Sequence, residues 1–168
     1  MFLLIACGNS LRRDDGAGLV LAELLEKSWC LGNCRVQRIS VHQLTPELAE
    51  FIAAERVATV VFFDSRVTTE KQGKHGVEVH RLALSDSSPS LAHDCNPETM
   101  MLYARWLYGK SIPCWIVSVP ARDFAHGEGL STMAQEAIAE ALDVVDVSPH
   151  AWLSKMAAKT SGLVVGKS

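Results

Sequence analysis

Apolar and polar positions fall into blocks along the chain, and their period switches between that of strands and that of helices. An apolar run from Met1 to Ala6 reads as a buried strand, and an apolar-rich segment from about Ala17 to Trp29 reads as a helix. Arg35 to Val41 predicts a second strand. Thr45-Pro46-Glu47 predicts the opening of a helix of about ten residues, with Thr45 as cap and Pro46 at the first helical position. Val57 to Phe63 is apolar and β-branched, typical of a strand covered on both faces. A glycine- and charge-rich connection, Glu70 to Gly76, precedes a strand from about Val77 to Leu84, whose Glu78, His80 and Arg81 suit a sheet edge. A serine-rich loop, Ser85 to Ser90, follows. Asn96-Pro97-Glu98 opens a helix that runs to Tyr108 and stops at Gly109. Cys114 to Val119 supplies a fifth strand, and Ser131 caps a last long helix ending near Val147.

This alternation predicts one α/β domain over residues 1–147, a three-layer αβα sandwich with a mostly parallel sheet of about five strands. From Ser148 onward the periodicity weakens, so residues 148–168 are expected to form a loosely ordered tail. A chain of 168 residues is long enough for one real core and too short for two ordinary domains. Its 48% hydrophobic and 21% charged residues are those of a compact globular protein. The net charge of −3 leaves no nucleic-acid footprint, and no apolar stretch is long enough to span a membrane. The chain begins directly with the first predicted strand, without a basic n-region, so the cytoplasm is the expected compartment. Five scattered cysteines favour reduced thiols over a disulfide framework. A monomer is expected, since no heptad or apolar surface stripe demands a partner.

Candidate chemistry concentrates in Gly8-Asn9-Ser10-Leu11-Arg12-Arg13-Asp14-Asp15-Gly16-Ala17-Gly18, between the first strand and the first helix. A phosphate held at a helix N-terminus wants backbone N–H groups and positive charge, and Asp14 and Asp15 would repel it. The loop also lacks the glycine spacing of either phosphate-binding fingerprint. Two carboxylates at a strand's end suit a cation. Gly16 and Gly18 each cost roughly 1 kcal/mol in a helix start, which implies close approach of another backbone or a ligand. One aspartate can serve simply as a helix cap, and the other is then left over.

Ligands of parallel sheets bind beyond the carboxyl ends of the strands. Asp15, His42 and Asp64 lie there by position, and His93 lies shortly before the Asn96 helix start. Each has a plain alternative: Asp64 as a turn residue with Ser65, His93 as a surface histidine, His42 as a packing or capping residue near Thr45. Cys7 ends the first strand and reads as buried packing. Jointly, two carboxylates and an imidazole form a mixed oxygen and nitrogen set, suited to a divalent transition metal such as zinc, nickel or manganese.

Gly8-Asn9-x-Leu11-x-x-Asp14-Asp15-Gly16-x-Gly18 closely resembles the opening motif of the [NiFe] hydrogenase maturation proteases, endopeptidases that trim the C-terminus of the hydrogenase large subunit. The likeness continues in Phe62-Phe63-Asp64, in His93 before a helix ending Leu107-Tyr108-Gly109, and in Gly127-Glu128-Gly129-Leu130-Ser131, covering about residues 1 to 146. The resemblance implies that Asp15, Asp64 and His93 are the metal-contacting and catalytic residues. Asp15 stands where glutamate is frequent, and His42-Gln43-Leu44 stands where many members carry an acidic or glycine-rich segment, which leaves the role of His42 open. The pattern looks more like the branch serving soluble bidirectional hydrogenases.

The resemblance further implies a nickel-loaded large-subunit precursor as partner, with nickel carried by that substrate and no cofactor tightly bound to the protein itself. Its nickel would be recognised by Asp15, Asp64 and His93 and would help to activate the scissile bond. No Gly-x-Ser-x-Gly or His-Glu-x-x-His pattern competes. Two other readings remain at this stage. One is a noncatalytic nickel-sensing assembly factor, and the other is a nucleotide-binding module, which the acidic loop disfavours.

Overall fold

The computed structural model describes residues 1–68, 76–84, 95–144 and 148–162. Five strands form one sheet: β1 (Phe2–Cys7), β2 (Val36–Val41), β3 (Thr59–Val67), β4 (Glu78–Arg81) and β5 (Cys114–Ala121). Their order is β2-β1-β3-β5-β4, parallel except for the antiparallel edge strand β4. The helices are α1 (Ala17–Leu31), α2 (Leu48–Ala53), α3 (Pro97–Tyr108), α4 (Thr132–Leu142) and α5 (Pro149–Gly162). The expected three-layer sandwich is the observed one.

Side-chain alternation along the strands divides the core in two. Leu4, Ala6, Val61, Phe63, Val117 and Val119 face α1, α4 and α5. Leu3, Ile5, Val60 and Phe62 face α2 and α3. The central strands are apolar on both faces because helices cover both. At the edge, β4 alternates Val79 inward with exposed His80. Thr160 of α5 accepts a hydrogen bond from the Val79 N–H at 3.1 Å, occupying a donor on the outer side of the sheet.

Several elements differ from the sequence expectation: β4 ends at Arg81 rather than Leu84, α4 at Leu142 rather than near Val147, and three others differ more. The helix anticipated from Thr45 begins at Leu48, and its N-cap, Glu47, makes no side-chain cap bond. Thr45 and Pro46 instead form tight turns in which their carbonyls accept from Leu48 and Ala49 N–H, both at 3.0 Å. The strand anticipated to end at Phe63 continues to Val67, because β5 goes on pairing with it after β1 has ended. The tail expected to be loose is, over residues 149–162, helix α5, with Trp152 and Leu153 fully buried and Met156 nearly so. Trp152 meets Trp29 edge to face at 5.8 Å between centroids, and its indole N–H donates to the Ala141 carbonyl at 2.9 Å.

α5 therefore completes the core under β4, α1 and α4. Trp152→Ala should cost about 3–5 kcal/mol of unfolding free energy in urea melts, whereas a loose appendage would leave the midpoint unchanged.

Candidate functional site

The chain adds β2 on one side of β1 and then crosses to place β3 on the other. The strand order therefore reverses between β1 and β3, the place where parallel sheets bind ligands beyond their carboxyl ends. Two acids meet there.

Asp15 comes from the loop after β1. That loop leaves the strand through Gly8, whose φ of +148° and close approach admit no side chain: a Cβ would lie 2.1 Å from the Asp15 carbonyl oxygen. Asn9 then folds the loop on itself. Its side-chain oxygen accepts from Leu11 N–H at 2.9 Å, and its own N–H donates to one Asp15 carboxylate oxygen at 3.1 Å. A short 3₁₀ turn, Arg13–Gly16, carries both aspartates into α1.

Asp64 comes from β3 itself. β1 pairs with β3 only as far as Ala6 and Phe63, so Asp64 stands at the first position that β1 no longer flanks by pairing. Gly18 makes the junction: a Cβ there would lie 3.0 Å from both the Cα and N of Asp64. The glycine expected to admit a backbone or a ligand admits a backbone, and it lets the start of α1 rest directly on β3.

The electrostatics show that the acids share one environment. Asp64 is exposed at the rim, yet the protein around its carboxyl raises its pKa; the Ser65 N–H, donating at 2.7 Å, opposes this, and the nearby charge of Asp15 adds to it. Cys7, at the end of β1, is pushed up to about 11 by burial and by the charges of Asp64 and Asp15. It is therefore a protonated thiol at neutral pH, and a cysteine nucleophile is not what this site provides. Negative charge gathered at a partly desolvated rim is relieved by a cation.

Asp14 does something else. Neither aspartate caps α1, whose N-cap is Gly16 without a side-chain bond. The Asp14 residue is fully buried, and its carboxylate reaches across the molecule to the loop between β5 and α4. It accepts from Arg122 N–H at 2.9 Å, Asp123 N–H at 3.0 Å, Ser131 N–H at 2.7 Å and Ser131 Oγ–H at 2.7 Å. Burial acts to raise its pKa, but these donated bonds outweigh that and hold it below the ordinary carboxylate value. Ser131 caps α4 as expected while also holding Asp14. Nothing in the sequence couples two residues so far apart. The recurring glycines of Gly127-Glu128-Gly129 are the one visible sign of the loop, and Gly127 exchanges backbone bonds with Leu11 and Arg13.

Of the expected ligands, Asp15 and Asp64 come together. His93 lies outside the described residues, as do Glu70–His75 and Ser85–Ser90. Among the described residues no group of three or more His, Cys, Asp or Glu side chains is arranged to hold a metal ion. His42 follows β2 at the same rim and is exposed, and its carbonyl oxygen lies 3.5 Å from the Cys7 thiol. A separate groove of about 560 Å³, between the β4 edge, α4 and α5, is lined by Met133, Glu136 and Met156 and contains neither carboxylate. No described helix is long and apolar enough to cross a membrane.

No family model and no curated protein sequence matches the chain. Solved structures do. The hydrogenase maturating endopeptidase HybD from E. coli aligns over 97% of this chain and 94% of its own, with 17% identity and a TM-score of 0.58. The [NiFe] hydrogenase maturation protease HycI from Thermococcus kodakarensis KOD1 aligns over 91% and 92%, with 19% identity and a TM-score of 0.56. The hydrogenase 2 maturation peptidase from Thaumarchaeota archaeon SCGC_AB-539-E09 aligns over 88% and 100%, with 18% identity and a TM-score of 0.56. At these identities the likeness establishes a shared fold over nearly the whole chain.

The Asp14 bonds carry a pH signature. A carboxyl whose folded pKa is depressed contributes its stability above the unfolded value of about 3.9, and loses it as pH falls through the folded value. Asp14→Asn should therefore lower unfolding free energy by about 3 kcal/mol at pH 7, by leaving buried donors unmatched. The gap to the unsubstituted protein should narrow in chemical melts run below about pH 4.

Proposed function

We propose that the protein is a hydrogenase maturation endopeptidase, which removes a C-terminal peptide from the nickel-loaded large-subunit precursor of a [NiFe] hydrogenase. The observation that carries this reading is the placement of Asp15, in the loop after β1, and of Asp64, on β3 against Gly18, at the β1/β3 switch point, in the fold shared with HybD and HycI. His93 is the proposed third ligand. It precedes Asn96, the N-cap of α3, by three residues. α3 descends to a short connection into the start of β5, so its N-terminus lies toward the carboxyl ends of the parallel strands, where both acids are.

In this reading the metal arrives with the substrate. Nickel held by the precursor is offered oxygen ligands from Asp15 and Asp64 and a nitrogen from His93, a set of the right softness for a late divalent metal. An incomplete set suits a site that should not capture free metal but should engage a loaded substrate. The substrate's nickel polarises the scissile carbonyl or lowers the pKa of a bound water. The water oxygen attacks the carbonyl carbon, its proton passes to a carboxylate, and the peptide C–N bond breaks as the leaving amine is protonated. One of the two acids takes that proton and returns it to the leaving amine.

Mass spectrometry of a nickel-loaded large-subunit precursor, before and after incubation, tests the proposal beside a nickel-free control. Loss of a short C-terminal peptide from the loaded precursor alone is expected. Binding without a mass change would favour an assembly factor instead. Asp15→Asn, Asp64→Asn and His93→Ala should each slow processing by about a hundredfold or more. Far-UV circular dichroism should show the fold retained in all three.

A further inference from the structure

Asp15 is held less by its own contacts than by the residue before it. Asp14 is fixed through its main chain, its N–H donating to the Asp123 carbonyl at 3.0 Å, and through the four bonds to its carboxylate. Arg13, on its other side, adopts a left-handed backbone with φ of +46°, uncommon outside glycine, asparagine and aspartate. Such a conformation persists only where the surroundings over-determine it. Here Arg13 N–H donates to the Gly127 carbonyl at 3.1 Å, and its guanidinium pairs with Asp123 at 2.6 Å. Every one of these partners lies in the loop between β5 and α4.

Stability alone is a poor account of this arrangement. A buried carboxylate with all its bonds made is frequently no more stabilising than apolar packing of the same volume. What it adds is a fixed direction for the next peptide unit, and the next residue is Asp15. Bonds to Asp14 from Arg122, Asp123 and Ser131 leave little rotation in the turn. The Asn9 N–H then holds one oxygen of the Asp15 carboxylate.

We infer that Asp14 is a positioning residue for Asp15, and that the loop from Arg122 to Ser131 is the frame through which it works. The inference rests on the protease reading above. Displacement of a reacting group by about 1 Å can cost about a hundredfold in rate, so a loosened turn is read as lost processing.

The test compares the unsubstituted protein with Asp14→Asn, Ser131→Ala, Ser131→Thr and Gly109→Ala, using the nickel-loaded precursor. Ser131→Ala removes one hydroxyl bond to Asp14 and the cap of α4, while Ser131→Thr keeps the hydroxyl. Gly109→Ala strains the left-handed C-cap of α3, where φ is +68°, and supplies a destabilised control away from the loop. Ser131→Ala should lower kcat about tenfold, and Asp14→Asn should lower it further. Ser131→Thr should restore kcat, and Gly109→Ala should retain it despite a lower Tm. Wild-type kcat in both Ser131→Ala and Asp14→Asn would overturn the inference, as would losses that follow Tm equally in Gly109→Ala. If Asp14→Asn fails to fold, the two Ser131 variants decide the matter alone. Failure of the unsubstituted protein to cleave would overturn the protease reading itself.

Discussion

A carboxylate removed from water carries a desolvation cost of several kcal/mol unless donors replace the lost hydration. Asp14 meets that requirement with three backbone N–H groups and one hydroxyl, all drawn from the far end of the chain. Much of the site follows from this constraint. The opening loop must lie against the β5–α4 loop, which requires Gly127 to exchange bonds with Leu11 and Arg13. α4 must start at Ser131, since the same hydroxyl caps the helix and holds the acid. The turn after Asp14 must then be tight enough to pass Gly8 under the Asp15 carbonyl, where no side chain fits.

Two neighbouring aspartates in one loop thus have opposite fates, and a third acid differs again. Asp14, surrounded by donors, is held ionised and inward. Asp15 and Asp64 stand at the rim of the sheet, where desolvation first, and the charge of Asp15 after it, make Asp64 easier to protonate than an ordinary aspartate. Burial, with the same negative field after it, keeps Cys7 a thiol. Environment, rather than residue type, separates the structural acid from the two proposed for chemistry.

The strands and most helices were legible because each carries its own signal: apolar runs for β1 and β3, Asn96-Pro97 at the start of α3, and Gly109 at its end. The shared place of Asp15 and Asp64 at the carboxyl end of the sheet was legible because Asp15 follows β1 and Asp64 follows the apolar stretch of β3. Asp14 was not, because its partners are remote and backbone donors leave no trace in sequence. α5 was missed for a different reason. Trp152, Leu153 and Met156 are the large residues of its buried face, set among alanines, serines and lysines, so its amphipathic pattern is faint although those three are buried. Thr45-Pro46 signals a helix start that the chain uses for tight turns first. The extra length of β3 depends on pairing with β5, which no local pattern reports.

The distance in sequence between Asp14 and Ser131, 117 positions, has a consequence during synthesis. β1, α1 and β2 emerge early and can pair locally, yet the acidic loop at their head lacks its donors until the loop beyond β5 has left the ribosome. Its burial must wait on a contact of high sequence separation, the kind that forms late and slowly in folding. A nascent chain, or one truncated before α4, therefore carries both acids of the site with the Asp14 clamp unmade. The order of translation delays that clamp until the domain is nearly complete.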